Sequence, residues 1–235
     1  MSHPTASFAI VLIAIEGIDG AGKQTLTDAL VVELTEHFAP PTLAAFPRYG
    51  NAPFGVLVEQ ALQSADNQLL SSVTAMSLAY AADRWQFWHI DRPRGSDPGA
   101  ESPMLLDRWC ASNAAYGSAR LVTSGAMDSP EAVRFRDWVA QVEFGQMALP
   151  GPTLTVLLAT DDALAKERRA GRNESDAYET DLDLQGRALA SYRTMAADNW
   201  GGPWIVIDPL DGDSVRKPAE SLAREVLAAL QAMQQ

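Results

Sequence analysis

Ile10-Val11-Leu12-Ile13-Ala14-Ile15-Glu16-Gly17-Ile18-Asp19-Gly20-Ala21-Gly22-Lys23-Gln24-Thr25 is an apolar, β-branched run that breaks into glycines and then enters an amphipathic helix. Gly17, Gly22 and Lys23 fit the spacing G-x-x-x-x-G-K. In that pattern glycines let backbone N–H groups converge on phosphate oxygens, and the lysine, read as an exposed loop side chain, reaches the β and γ phosphates. The helix beginning near Lys23 aims its positive dipole end at the same anion. The stretch therefore predicts a strand, a phosphate-binding loop and a helix, with Gly17, Ile18, Gly20, Ala21, Gly22, Lys23, Gln24 and Thr25 around the phosphates. The residue after the lysine is normally Ser or Thr, which ligates Mg²⁺; here it is Gln24, and Thr25 stands one position too late. A glycine-rich turn without a ligand is the plainer alternative, but the strand before and the helix after supply the context the motif requires.

Working outward, apolar residues at Leu26, Leu30, Val31, Leu34 and Phe38 continue a helical stripe that must stop before Pro40-Pro41. Thr42 to Phe46 reads as a strand running into Pro47-Arg48-Tyr49-Gly50. This turn leaves a basic and an aromatic side chain at the end where open parallel sheets bind ligands. Pro53 to Leu62 and Leu69 to about His89 read as helices, the second placing Tyr80 and Arg84 on one face. After a loop from Asp91 to Ser102, Pro103 to Arg108 reads as a short buried strand ending in Asp107-Arg108, similar to a Walker B arrangement. Ala111 to Val122 and Pro130 to Met147 are helical, and Thr153 to Ala159 is a continuous β-branched run typical of a central parallel strand. Leu164 to Arg169 starts a helix that breaks into Gly171 to Glu179, followed by a helix from Leu182 to Asn199, a strand from Trp204 to Asp208 and a closing helix from Ser221 to Met233. Strands alternating with helices predict one parallel three-layer α/β domain over residues 1–235, without internal repeat or linker.

With 235 residues, 47% of them hydrophobic, the chain can bury a large core. Its net charge of -12 argues against a nucleic-acid polymer as partner, because such binding depends on phosphate neutralisation by Lys and Arg. Cys110 is the single cysteine, which excludes an internal disulfide and a cysteine-rich zinc site and fits a reducing cytoplasm. Residues 1–7, expected to be a short flexible tail, lack the basic start of a secretory signal, and Phe8 to Ile15 is too short to span a bilayer. A soluble, cytoplasmic chain is expected, with no membrane partner.

A phosphate loop together with a strand ending in Asp107-Arg108 implies a Mg²⁺-nucleotide enzyme, since phosphoryl transfer needs charge neutralisation and alignment more than covalent chemistry. Arg48, Arg84 and Arg108 each fall at a strand end or on a helix bordering the cleft, and guanidinium groups suit bidentate phosphate binding. Singly each reads as a surface salt-bridge partner; as a set they suit a nucleoside monophosphate.

Glu16-Gly17-Ile18-Asp19-Gly20-Ala21-Gly22-Lys23, Phe46-Pro47-Arg48-Tyr49-Gly50, Asp83-Arg84, Asp107-Arg108-Trp109-Cys110-Ala111-Ser112-Asn113-Ala114-Ala115-Tyr116 and Tyr178-Glu179 occur in the order and rough spacing of thymidylate kinases. The chain resembles that family from about Ile10 to Asp208, with its actinobacterial, mycobacterial-type members nearest. The resemblance implies a three-layer α/β/α P-loop nucleoside monophosphate kinase fold with a five-stranded parallel sheet, commonly a homodimer, using ATP and Mg²⁺ to convert dTMP to dTDP. It implies that Lys23 holds donor phosphates, that Asp19 lies near the sugar 3′-hydroxyl and the transferred group, and that Asp107, with Asp19, serves the magnesium. Arg48 and Arg108 would contact the acceptor phosphate, with Phe46 and Tyr49 beside them. Tyr80 would stack on thymine where the family usually has Phe. Arg84 and Asn113 would bond the base edge, and Tyr116 would crowd the 2′ position. Tyr178 and Glu179 would close a short lid at about 165–180, in which Arg168, Arg169 and Arg172 precede acidic Glu174 and Asp176, with Arg172 as the catalytic cation. Two rival readings are a kinase for another pyrimidine deoxynucleoside monophosphate and a weakly active nucleotide-binding paralogue; the joint presence of Asp19, Lys23, Asp107 and Arg108 speaks against the second.

Overall fold

Each of the five apolar runs forms a strand in the computed structural model, which describes residues 11–64, 67–92, 102–160, 178, 181–211 and 215–233. β1 (Leu12–Glu16), β2 (Thr42–Ala45), β3 (Met104–Asp107), β4 (Leu154–Leu158) and β5 (Trp204–Ile207) make one all-parallel sheet in the order β2-β3-β1-β4-β5. The expected P-loop kinase architecture is therefore the observed one. In the register, Ile15 lies opposite Asp107, and Asp107 opposite Ala45. The phosphate loop, Asp107-Arg108 and the Phe46 turn consequently leave the sheet side by side at its carboxyl edge, where ligands of such sheets bind.

Along β1 successive side chains point to opposite faces. Ile13 and Ile15 join a core with Leu26, Leu30, Tyr116 and Tyr192, whereas Leu12 and Ala14 join a second one with Phe46, Phe87 and Trp109. Both faces are covered, which is why the strands read as continuous apolar runs instead of alternating ones. The helices are α1 (Lys23–His37), α2 (Pro53–Leu62), α3 (Gln68–Ser71), α4 (Val73–Gln86), α5 (Cys110–Leu121), α6 (Pro130–Ala140), α7 (Leu182–Ala197) and α8 (Ala219–Ala232). α1 packs on α8, and α5 lies between α6 and α7. Among the described residues no helix is long and apolar enough to cross a membrane.

Two helices depart from expectation. The single helix expected from Leu69 to His89 is broken at Ser72, whose extended backbone and Oγ, accepting from Ala75 N at 3.2 Å, cap a new start at α4. α4 then widens into π-helical turns over Phe87–Asp91. The helix expected from Pro130 to Met147 likewise ends as α6 and continues as π-helical turns over Gln141–Gln146. Such wide turns rotate the following side chains relative to a regular helix.

α5 approaches α6 closely because Gly117 has no side chain: a Cβ there would lie 2.2 Å from Cε1 of Phe135. Gly117→Ala is expected to force the two helices apart and to lower unfolding free energy by about 1 to 3 kcal/mol, read as a lower urea midpoint with an unchanged slope. An unshifted midpoint would show that Phe135 simply turns aside.

Candidate active site

The phosphate loop is held open by its own geometry. Gly17 has φ +146° and a Cβ on it would lie 2.9 Å from the Leu158 carbonyl oxygen, while Gly22, just before α1, has φ +100°. Both conformations favour glycine, so the two motif glycines are steric necessities. Lys23 departs from the exposed loop lysine expected from sequence. It is the first residue of α1, buried, and its ammonium donates to the carbonyls of Gly17 and Ile18 at 3.2 and 3.1 Å. Burial, with the nearby Arg108 cation, pulls the Lys23 pKa below the usual lysine range. Gln24 and Thr25 are exposed, and the Gln24 amide donates to Asp28 at 2.8 Å.

Arg108 joins the loop to the rest of the site. Its backbone has φ +67°, unusual for a residue with a side chain and maintained by the bond from its N–H to the Ile15 carbonyl at 2.9 Å. Its guanidinium donates to one oxygen of Asp19 at 2.5 Å and to the Ser112 and Tyr192 hydroxyl oxygens at 3.1 and 3.3 Å. The other Asp19 oxygen accepts from the Tyr116 hydroxyl and the Gln185 amide, each at 2.9 Å. Burial works against ionising Asp19, but Arg108 and Lys23 outweigh it and hold the carboxyl well below the usual carboxylate range. Beneath this layer the fully buried Glu16 accepts from the Trp109 backbone N–H, Ser112 and Tyr192 at 2.7, 2.6 and 3.0 Å.

Two clefts meet at Arg108. One is lined by Gly20, Gly22, Lys23, Gln24, Thr25 and Asp107, together with Asp19, Phe46 and Arg108. The other is lined by Phe46, Tyr49, Tyr80, Arg84, Asn113 and Tyr116, again with Asp19 and Arg108, and by Tyr178. Tyr116 and Tyr178 stack with centroids 5.9 Å apart, and Arg120 donates to the Tyr178 hydroxyl at 2.6 Å. Most of the residues named from sequence are thus brought together. Arg48 is not among those lining either cleft: its guanidinium and backbone N–H are bonded to Asp83, and a further N–H donates to Asp91 at 2.8 Å. Arg172 and Glu179, with Arg168 and Arg169, lie outside the described residues.

Sequence reasoning missed Glu143, Gln185 and Tyr192. Glu143 takes a bidentate pair from Arg84 at 2.6 and 2.7 Å and also accepts from Asn113 at 2.7 Å. The available signal was a lone acid within an otherwise apolar turn, Val142-Glu143-Phe144; Gln185 and Tyr192 lay within a helix, Leu182 to Asn199, to which no site residue was assigned.

A loop built for phosphates and an aromatic pocket edged with polar groups, sharing one arginine, suit transfer of a phosphoryl group between two nucleotides. The class defined by this fold and site is the ATP-dependent nucleoside monophosphate kinases. The family model described as thymidylate kinase matches residues 15–209, and the chain belongs to the thymidylate kinase family. It is 40% identical over 205 residues to a thymidylate kinase of Mycobacterium tuberculosis, covering 84% of this chain and 91% of that one. It is 28% identical over 218 residues to a probable thymidylate kinase of Archaeoglobus fulgidus, covering 92% of each. In solved structures, thymidylate kinase from Candida albicans superposes with a TM-score of 0.67 at 20% identity, over 97% of this chain and 95% of that one, a likeness of fold.

The depressed Asp19 pKa has a pH consequence. A carboxylate titrating lower in the folded than the unfolded chain contributes stability that is present above the unfolded pKa, about 3.9, and is lost as pH falls toward the folded value. Asp19→Asn should therefore make the acid decline of unfolding free energy shallower below about pH 4, measured by urea titration at stepped pH. Equal acid slopes in parent and variant would refute the Asp19–Arg108 coupling.

Proposed function

We propose that this chain transfers the γ-phosphoryl group of ATP to dTMP, giving dTDP and ADP, by direct in-line attack without a phospho-enzyme. The observation that carries the reading is Arg108, whose guanidinium borders both the loop cleft and the pocket cleft, where a phosphoryl group passing between two nucleotides carries its charge. In this reading the loop N–H groups and Lys23 bind the donor phosphates, and Arg108 binds the acceptor phosphate. Asp19 orients Arg108 and lies near the sugar hydroxyl. Tyr80 stacks on the base, Arg84 and Asn113 meet its edge, and Tyr116 crowds the 2′ position. Arg48 would act chiefly by holding the Phe46-Pro47 turn against Asp83, reaching phosphate only on release from Asp91.

The residues fit a magnesium ion. Asp107 lines the loop cleft, and its Oδ1 is buried without a hydrogen-bond partner among the described residues, an anionic oxygen suited to a hard cation. Asp107 would hold it, and the bound ion would neutralise phosphate charge. Asp19, the other expected ligand, already has both oxygens bonded to protein donors. A homodimer in a reducing cytoplasm completes the reading. It is supported by exposed Leu78 and Trp85 on α4 and Val133 on α6, and a monomeric mass in sedimentation would remove the dimer.

A coupled assay of ADP release with dTMP, dUMP, dCMP and no acceptor tests the function. The thymine methyl in an apolar pocket contributes about 1 to 3 kcal/mol, so dTMP should exceed dUMP by about ten-fold to a hundred-fold in kcat/KM, with dCMP worse still. Equal efficiency for dTMP and dCMP would overturn the thymidylate reading. For the metal, Asp107→Asn should raise the Mg²⁺ concentration for half-maximal rate well beyond any change in Thr25→Val; the reverse ranking would assign the ligand role to Thr25.

A further inference from the structure

The pocket's polar edge has a fixed polarity, and the group that fixes it lies behind the pocket wall. Asn113 has two amide protons. One goes to the Ser77 carbonyl at 3.0 Å and the other to Glu143 Oε1 at 2.7 Å. Both partners are obligate acceptors, so the amide can be oriented only one way, and what Asn113 has left for a ligand is its oxygen, an acceptor. Arg84 donates its Nε–H and one Nη2–H to the two Glu143 oxygens and keeps its remaining protons, all donors. Arg84 and Asn113 line the same cleft. The pocket thus presents a donor group and an acceptor group, and a single buried carboxylate, fully inaccessible to solvent, engages both, with the Ser77 carbonyl sharing its hold on Asn113. Glu143 reaches them because it stands in the π-helical turns after α6.

We infer that Glu143 is a positioning residue for base selection: by engaging Arg84 and Asn113 together it fixes a donor-plus-acceptor edge that matches a 4-oxo pyrimidine and rejects a 4-amino one. The inference rests on the thymidylate reading above. A 4-oxo base offers an acceptor at O4 and a donor at N3–H, the complement of Arg84 and the Asn113 oxygen. A 4-amino base reverses both, leaving two buried pairs mismatched. Direct contact with the base belongs to Arg84 and Asn113; Glu143 acts through them.

Glu143→Gln removes this control in a specific way. An amide has one acceptor oxygen where the carboxylate had two, so it cannot satisfy the Arg84 Nε–H and the Arg84–Asn113 pair together. Its NH₂ group, if turned toward Asn113, would set donor against donor and push the Asn113 amide off its place, while the Ser77 carbonyl still holds the other amide proton. Glu143→Asp keeps the charge, and with it the counterion of buried Arg84, but withdraws the carboxylate by one methylene. The experiment is steady-state kinetics with dTMP and dCMP on the full chain, read as the ratio of the two kcat/KM values, which does not depend on the fraction of protein folded. The ratio should fall at least ten-fold in Glu143→Gln and by about three-fold to ten-fold in Glu143→Asp, through KM for dTMP more than through kcat. If Glu143→Gln does not fold, Glu143→Asp decides. A ratio unchanged from the parent's, with both substrates losing efficiency in parallel, would reduce Glu143 to a structural residue and overturn the inference. A parent without preference for dTMP would instead overturn the thymidylate reading, so the two failures are separable.

Discussion

A carboxylate removed from water must be satisfied by hydrogen bonds or lose its charge, and Glu16, the last residue of β1, is such a group. Burial pushes its pKa up, while Ser112, Arg108, Trp109 and Tyr192 pull the other way. Its bonds tie the end of β1 to the turn after β3, to α5 and to α7. Arg108 can adopt its left-handed backbone because this frame over-determines it. The loop, Asp107 and the aromatic pocket, set side by side by the sheet register, all border that junction.

Charge is distributed by depth. The chain as a whole carries -12, yet Lys23 and Arg84 are buried and Arg108 nearly so beside the clefts. Each buried cation has protein partners: backbone carbonyls for Lys23, Glu143 for Arg84, and Asp19 with two hydroxyls for Arg108. Such pairing offsets the desolvation of the cation and fixes its direction. A phosphate arriving in the cleft therefore meets oriented donors, which favours the charge distribution of a transition state over that of free substrate. Arg84 differs from the others in bonding both oxygens of one carboxylate, which suits a neutral base edge better than an anion.

The two wide helical extensions serve the same end. Phe87 and Trp88, after α4, pack around Phe46 and Trp109 beneath the acceptor turn, and Asp91 reaches Arg48. The turns after α6 bring Glu143 behind Arg84 and Asn113. A regular helix over either segment would turn successive side chains by about 100° per residue and aim these groups away from the partners they reach here.

The fold was legible in the sequence because its signals are local. Five short apolar runs separated by helical stripes leave little besides a parallel sheet, and Gly17, Gly22 and Lys23 are spaced for one kind of loop. Asp107-Arg108 and the Phe46 turn were legible for the same reason, being short motifs at strand ends. What the sequence did not contain was pairing between distant residues. Glu143 lies 59 positions from Arg84, and Gln185 lies 166 from Asp19, so no local pattern names the partner of either, although the lone acid between Val142 and Phe144 marks Glu143 as unusual. The breaks at Ser72 and Ala140 escaped for a related reason: hydrophobic periodicity records which face is buried, whereas a cap or a wide turn depends on the hydrogen bonds available once neighbouring elements have packed. By itself the sequence determined the sheet, the loop and the chemical types present at its carboxyl edge. Tertiary structure alone decided which cations are held by backbone carbonyls, which by carboxylates, and which way the Asn113 amide faces, because each of those depends on a partner that only folding brings within hydrogen-bond reach.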